Sequence, residues 1–267
     1  MGIKDWSKRQ EGGTEQESVG ETLPVQKEPI GYYGHGRHFY FLEDSGDPHD
    51  AVAEIINQIL SGESGAGLNH GDYCQVIDAR GDLMMSFLLH GRDIVAAYPY
   101  EDTGYGWPIE VKEVYVWPEG HEAQIVGSCN GARVGFFDTC FFKYRDTYRQ
   151  DVPLTFLING LAYKVFEGEA TEEFSDDFCA YLPLTPEEEG GVDEIKFESR
   201  VEEVNDVEFW GVPLLAYTLV LATPNDFPLR LTMYAHESAG PKRFAPGDRI
   251  GGYAWLFGMA RLDSEIQ

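Results

Sequence analysis

The chain has 267 residues, of which 43% are hydrophobic and 13% are aromatic, so it can bury a sizeable core and does not have the composition of a disordered chain. Its 46 acidic and 20 basic residues give a formal net charge of −26, which disfavours binding to nucleic acid and to anionic lipid. Residues 167–208 hold 16 of the acidic residues and only two basic ones, so one segment carries more than half of the excess.

The longest apolar run, residues 214–222, is far shorter than the roughly 18 residues that a membrane span needs. The first residues also lack the apolar core of a signal peptide. We therefore expect a cytoplasmic protein with no membrane partner. The four cysteines form no C-x-x-C pair, so the sequence predicts neither a disulfide scaffold nor a zinc site, and it indicates no cofactor.

Residues 1–29 are polar and aperiodic, which predicts a disordered tail. Apolar residues then recur at three- and four-residue spacing from Val52 to Leu60, the pattern of an amphipathic helix. Asp47 is a suitable N-cap and Gly62 a suitable C-terminal stop, so we place this helix at residues 48–61.

From Asp72 onward the pattern is that of β-strands. Residues 72–79 and 83–97 flank a Gly-containing turn and are expected to form a hairpin. Residues 121–129 and 132–142 flank Asn130-Gly131, the preferred pair of a type I′ turn.

A two-residue turn fixes the register of that second hairpin, which pairs Cys129 with Ala132 and Ile125 with Phe136 on a core-facing side. Residues 152–166 are expected to form either two strands or one bent strand interrupted near Asn159-Gly160.

In the acidic segment, spaced apolar residues from Thr171 to Leu182 are compatible with a short helix, and residues 187–191 are typical of an exposed turn. Further strands are predicted at the following positions: 194–204, 214–222, 227–237 and 249–262.

These patterns predict a mainly antiparallel β protein, with an α+β amino-terminal half as the alternative. The expected organisation is the tail, an amino-terminal β-rich unit at 30–166, an acidic connector at 167–192 and a carboxyl-terminal β-rich unit at 193–267. The two units either fold separately or pack as one domain.

The run Pro246-Gly247-Asp248-Arg249-Ile250-Gly251 resembles the entry into a strand seen in OB-like barrels. Gly251 and Gly252 would let this strand bend, and the aromatic residues after them would fill the interior. The resemblance implies OB-like barrel or sandwich elements. OB-like barrels that bind oligonucleotides use basic grooves, and this chain lacks them.

Three residues are candidates for catalysis. Asp138 is the single acid in an aromatic strand, where burial would raise its pKa. His236 and Glu237 begin the zinc-protease pattern H-E-x-x-H but lack its second histidine, so no metal is predicted.

His35, Arg37 and His38 lie in a glycine-containing turn and are candidates for contact with an anionic ligand.

We interpret the chain as a non-enzymatic acidic protein that binds a protein partner and does not bind nucleic acid. The first alternative is an enzyme whose site is assembled from distant residues. The second is a polyanionic nucleic-acid mimic that occupies a nucleic-acid-binding protein. The sequence leaves the oligomeric state open.

Overall fold

A computed structural model of the chain describes residues 24–27, 38, 67–79, 81–150, 152–168, 180–183, 190–240 and 242–261. These residues are mostly β-strand, as predicted. The strands, β1 to β14 in chain order, are Val25–Lys27, Leu68–His70, Tyr73–Asp78, Met84–His90, Asp93–Tyr100, Gly106–Val116, Ala123–Cys129, Ala132–Asp138, Pro153–Glu167, Ala180–Pro183, Glu194–Phe209, Val212–Val220, Arg230–Ala235 and Arg249–Arg261. Short helical segments lie between some of them: the α-helix α1 (Phe141–Tyr144) and the 3-10 turns Arg145–Thr147, Pro224–Asp226 and Glu237–Ala239.

The strands form two sheets. The smaller sheet has the order β2-β3-β4-β5, and the larger has the order β1-β6-β7-β8-β14-β9-β13-β12-β11-β10. In the larger sheet β6 also pairs with β9, and β14 also pairs with β11. These extra pairings close two rings of five strands, which share β9 and β14.

The two shared strands are long because each serves both rings. The first part of β9 pairs with β6 through Pro153–Leu157, and its later part pairs with β13 from Asn159 to Ala162. Asn159 and Gly160 were expected to interrupt the strand. They lie instead inside one continuous strand, at the point where its neighbour changes from β6 to β13. A Cβ at Gly160 would lie 2.7 Å from the sulfur of Met233, so a larger residue there would displace the Met233 side chain.

The core has two layers. Inward-facing residues of both rings form one apolar cluster that includes Ile125, Phe136 and Leu231. The outward face of β8 and β14 carries Phe137 and Trp255, which pack in a second cluster against the small sheet. The same cluster includes Leu214, Ala216 and Tyr234 of the second ring, so the small sheet covers an outer face that spans both rings.

The predicted Asn130-Gly131 hairpin is confirmed in position and register. Cys129 pairs with Ala132, and Ile125 pairs with Phe136. Asn130 has φ of 49° and Gly131 has φ of 90°, as a type I′ turn requires.

Two amino-terminal predictions differ from the structure. Residues 83–97 do not form one strand, because the chain reverses at Gly91-Arg92 between β4 and β5. Within the predicted tail, residues 25–27 form β1, which pairs with the outer edge of β6 and is held there by an ion pair between Lys27 and Glu113. The rest of that tail lies outside the described residues.

The acidic segment also differs from expectation. Tyr181 and Leu182 belong to a strand paired with β11, not to a helix. Gly190 and Gly191, expected in an exposed turn, are buried. Gly191 donates its backbone N–H to the Glu194 carboxylate at 2.6 Å, which draws this segment into the protein.

The amphipathic helix predicted at 48–61 lies outside the described residues, so the α+β alternative for the amino-terminal half stays a prediction. In the part of the chain that is described, no helix is long and apolar enough to cross a membrane.

Candidate functional site

An open cavity of about 620 Å³ lies beside the second ring. Its floor is apolar and is formed by buried residues of β9, β12 and β13, namely Val165, Leu214, Tyr217 and Ala235. Its rim is formed by Asp206 of β11 and by residues that follow β13, namely His236, Glu237, Ser238, Gly240, Lys242 and Arg243. The cavity volume falls within the range of small-molecule and side-chain binding sites, about 300–1,000 Å³.

His236 and Glu237, two of the predicted catalytic residues, both line this cavity. The His236 ring has a local structural role, since Nδ1 accepts a hydrogen bond from the Ser238 backbone N–H at 3.3 Å and lies 2.7 Å from Ser238 Oγ. It thereby caps the 3-10 turn that begins at Glu237. Glu237 is exposed at the rim.

The basic residues at the rim are already paired with acids. Arg243 forms an ion pair with Asp206, and Lys242 forms one with Glu167 at 3.1 Å. The pairing with Arg243 lowers the pKa of the Asp206 carboxyl from its ordinary value. Glu237 has no ionic partner among the residues that the structure describes.

The facing strand extends the acidic rim. Asp206 lines the cavity, and Glu208 lies just outside the lining, paired with the lining residue Pro213. Both carboxylates are exposed. The lining itself carries two acids, Asp206 and Glu237, and two bases, Lys242 and Arg243. Because both bases are in ion pairs, Glu237 and the adjacent Glu208 leave negative charge at the edge, which suits a cationic ligand that has an apolar part.

Asp138 lies elsewhere. It is 1% exposed at the end of β8 and does not line this cavity. Its carboxylate accepts hydrogen bonds from the Tyr148 hydroxyl and from the Cys140 backbone N–H, the latter at 3.0 Å. The structure thus brings His236 and Glu237 to one site but leaves Asp138 in a separate buried cluster.

Burial changes the ionisation of this cluster. Desolvation raises the Asp138 pKa from 3.8 to about 7, against the opposing effect of the two hydrogen bonds. Desolvation also raises the pKa of the Cys140 thiol to about 12 and that of Tyr148 well above its ordinary value. At neutral pH the thiol is protonated, so Cys140 is not an activated nucleophile.

His38, predicted to contact an anion from a surface turn, is 5% exposed. Its ring stacks on Trp255 with centroids 4.2 Å apart and planes 1° from parallel, and Nδ1 is hydrogen-bonded to the Tyr163 hydroxyl. His38 therefore packs in the interior. His35 and Arg37 lie outside the described residues.

Beside His38 lie two buried acids that the sequence analysis did not single out. Asp193 accepts hydrogen bonds from Trp255 Nε1 at 2.9 Å and from Gln124 Nε2 at 2.6 Å. Glu194 accepts one from the Tyr163 hydroxyl at 2.7 Å. The hydrogen-bond donors to Asp193 and Glu194 come from strands that are distant in the sequence, so the sequence carries no sign of these contacts. The only local signal for an inward turn is the pair Gly190-Gly191 that precedes the two acids.

The chain matches no protein-family model, no curated protein and no solved structure. No group of three or more His, Cys, Asp or Glu side chains within the described ranges could hold a metal ion.

Proposed function

We propose that this protein is a non-enzymatic binding protein that holds a basic segment of a protein partner. The observation that carries the proposal is the cavity beside β12, where an apolar floor meets the carboxylate of Glu237 at the rim and the exposed carboxylate of Glu208 lies next to the lining residue Pro213. An apolar side chain of the partner would enter the cavity, and basic side chains beside it would reach Glu208 and Glu237.

The placement of the ionisable groups favours binding over catalysis. Asp138, the carboxyl with the raised pKa, is enclosed by Tyr148 and Cys140 and is not part of the cavity. His236 is engaged in a turn cap, and the rim bases are in ion pairs. A general acid–base site needs its groups to converge on one substrate position.

We also propose that the first ring is an OB-like barrel. The closed circuit of β6, β7, β8, β14 and β9 supports this, because OB-like barrels have five strands. Oligonucleotides bind such barrels over their second and third strands, which here would be β7 and β8. On that outer side Phe137 is fully buried under the small sheet, which supports the proposal that nucleic acid is not the ligand.

The cysteines support a reducing compartment, and we propose the cytoplasm. Cys74, Cys129 and Cys140 carry free thiols, as is usual for proteins kept reduced.

Capture of partners from native lysate tests the binding function. The wild-type protein should retain a partner at about 50 mM salt and lose most of it at about 200 mM, because salt screens the rim charges. The double variant Glu208→Gln/Glu237→Gln should lose that partner even at low salt. The control Glu119→Gln/Asp226→Asn removes the same charge from exposed acids outside the cavity and should retain it.

A partner that both double variants retain, or one that is insensitive to salt, would contradict the proposal. A nucleic-acid-binding partner that duplex DNA displaces would instead favour the mimic alternative.

The enzyme alternative has one specific observation in its favour, the presence of His236 and Glu237 in the same cavity. If they acted together, His236→Gln would abolish turnover of any substrate found for the protein while the partner was still captured. Equal capture and equal turnover in the variant would exclude this role for His236.

A further inference from the structure

A second cavity, of about 530 Å³, lies on the first ring and is distinct from the acidic cavity. It is bounded by β1, by β6 and by the segment 141–149, which comprises α1 and the 3-10 turn after it. None of its lining residues belongs to the first cavity.

Two arginines, Arg145 and Arg149, line this second cavity, and both make their hydrogen bonds to backbone carbonyls. Arg145 donates to the Gly120 carbonyl at 3.0 Å, and Arg149 donates to the carbonyls of Asp146 and Tyr148, each at 2.8 Å. Neither guanidinium has a carboxylate partner in the described part of the chain. These carbonyl contacts use one terminal nitrogen of each guanidinium and fix its position. The remaining N–H groups are available to a ligand, since a guanidinium carries five.

The other polar groups of the cavity also favour one small anion. Gln26 of β1 adds a side-chain amide, which can donate a further hydrogen bond. The Asp146 carboxylate is the only acidic side chain among the described lining residues. Together with the net charge of −26 it would repel a polyanion, whereas a single carboxylate could lie between the two arginines.

The rest of the wall is apolar. Val114 and Val116 project from the same face of β6, and Phe141 and Tyr148 also line the cavity. Val116 is partly exposed, whereas Val114, Phe141 and Tyr148 are almost fully buried, and the Tyr148 hydroxyl is directed to the buried Asp138. A ligand that fills this space must therefore carry a hydrophobic body.

We propose that this cavity binds a small organic acid, with its carboxylate held by Arg145 and Arg149 and its hydrophobic body against Val114, Val116 and Phe141. The site is independent of the acidic cavity and of any protein partner held there. A free acid and the carboxyl-terminal end of an apolar peptide present the same chemistry.

Calorimetric titration of the full chain with 4-phenylbutyrate tests the site. Saturable binding is expected with a Kd on the order of 1 mM or tighter, as befits a ligand of this size. The neutral analogue 4-phenylbutanamide has the same shape without the charge and should bind about tenfold more weakly. An apolar peptide with a free carboxyl terminus and the same peptide with that terminus blocked are titrated as well. Binding of the first alone would show that the site also accepts a peptide terminus.

Arg145→Gln and Arg149→Gln should each raise the Kd for 4-phenylbutyrate about tenfold, the effect of losing one charge-assisted contact. Arg92→Gln removes the same charge from the exposed β4–β5 turn and should change the Kd less than about twofold. Urea unfolding of each variant shows whether the segment 141–149 stays folded. Arg145→Lys keeps the charge and should bind better than Arg145→Gln.

Absence of saturation up to about 10 mM 4-phenylbutyrate would overturn the proposal. Equal affinity for 4-phenylbutanamide, or an equal loss of affinity in Arg92→Gln, would overturn the proposal because Arg145 and Arg149 would then not hold the carboxylate. Equal affinity for inorganic phosphate would overturn it because the apolar wall would then not contribute.

Discussion

At the scale of single residues, Asp138 shows how burial and hydrogen bonding oppose each other. The carboxyl lies on the inward face of β8, in the interior of the first ring, and retains two hydrogen-bond donors. The donors favour the charged form, but removal from water outweighs them and raises the pKa to about 7. Ionisation of this one group is thereby linked to folding near neutral pH.

Asp138→Asn should remove a pH dependence from stability. The folded protein binds the Asp138 proton more tightly than the unfolded chain, so the free energy of unfolding falls as the pH rises from about 4 to about 7, by at most about 1.3 kcal/mol per pH unit. Relative to wild type, the variant should therefore become more stable over this interval. Urea unfolding at several pH values measures the difference.

Asp93→Asn, at an exposed turn, serves as the control and should track the wild type at every pH. A constant difference between Asp138→Asn and wild type from pH 4 to pH 8 would show that Asp138 does not titrate in this range.

Among the elements, the β7–β8 hairpin shows where local sequence determines structure. Asn130 and Gly131 both adopt positive φ, which matches the twist of the flanking strands. No heavy atom lies within 3.4 Å of a Cβ built on Gly131; the nearest is Asn225 Nδ2 at 3.9 Å. A side chain there would meet conformational strain and not a steric clash.

Gly131→Ala should destabilise the protein by about 1–2 kcal/mol, the usual cost of holding a side-chain-bearing residue at positive φ. Asn130→Gly keeps a residue suited to this turn and should change stability by less than about 0.5 kcal/mol. Urea unfolding midpoints compare the two variants. An equal loss in both would mean that contacts of Asn130, rather than the backbone conformation of Gly131, hold the turn.

Strand positions could be predicted because alternation and turn residues are local signals. The hairpin register followed from Asn130-Gly131, and the strand after Asp248 followed from its Pro-Gly-Asp turn. The closure of two rings could not be predicted, because it depends on pairs such as Phe137 with Phe257, whose strands carry no local mark of their partners.

The candidate sites were predictable only in part. His236 and Glu237 stood out as a pair, but their cavity is completed by Asp206 and Leu214, which the chain brings from another strand. Arg145 and Arg149 gave no sequence signal, since two arginines four residues apart are common on exposed segments. They form a candidate binding site only because the fold places the apolar residues Val114 and Val116 of β6 in the same cavity.

For the whole molecule, the excess of carboxylates is the dominant electrostatic property. The chain has 46 acids and 20 bases, and the uncompensated carboxylates repel one another more strongly in the folded protein than in the expanded chain. Ion pairs such as Arg249 with Glu198 relieve this only locally.

Raising the salt concentration from about 0.05 M to about 0.5 M NaCl should therefore increase the thermal unfolding midpoint, because screening weakens the repulsion. Circular dichroism measures the midpoint. The triple variant Asp102→Asn/Glu119→Gln/Asp226→Asn removes three exposed charges and should unfold at a higher temperature in low salt, with a smaller gain from added salt. A midpoint that falls or stays constant with salt would show that repulsion does not limit stability.

The two strands shared by the rings have a consequence for how the protein forms. β9 and β14 pair along most of their length, yet about 80 residues separate them in the chain, and neither ring can close before they meet. Such non-local contacts impose a large loop-closure cost ahead of any stabilising gain. We therefore expect slow refolding, with both rings acquiring their protection from hydrogen exchange in a single concerted step.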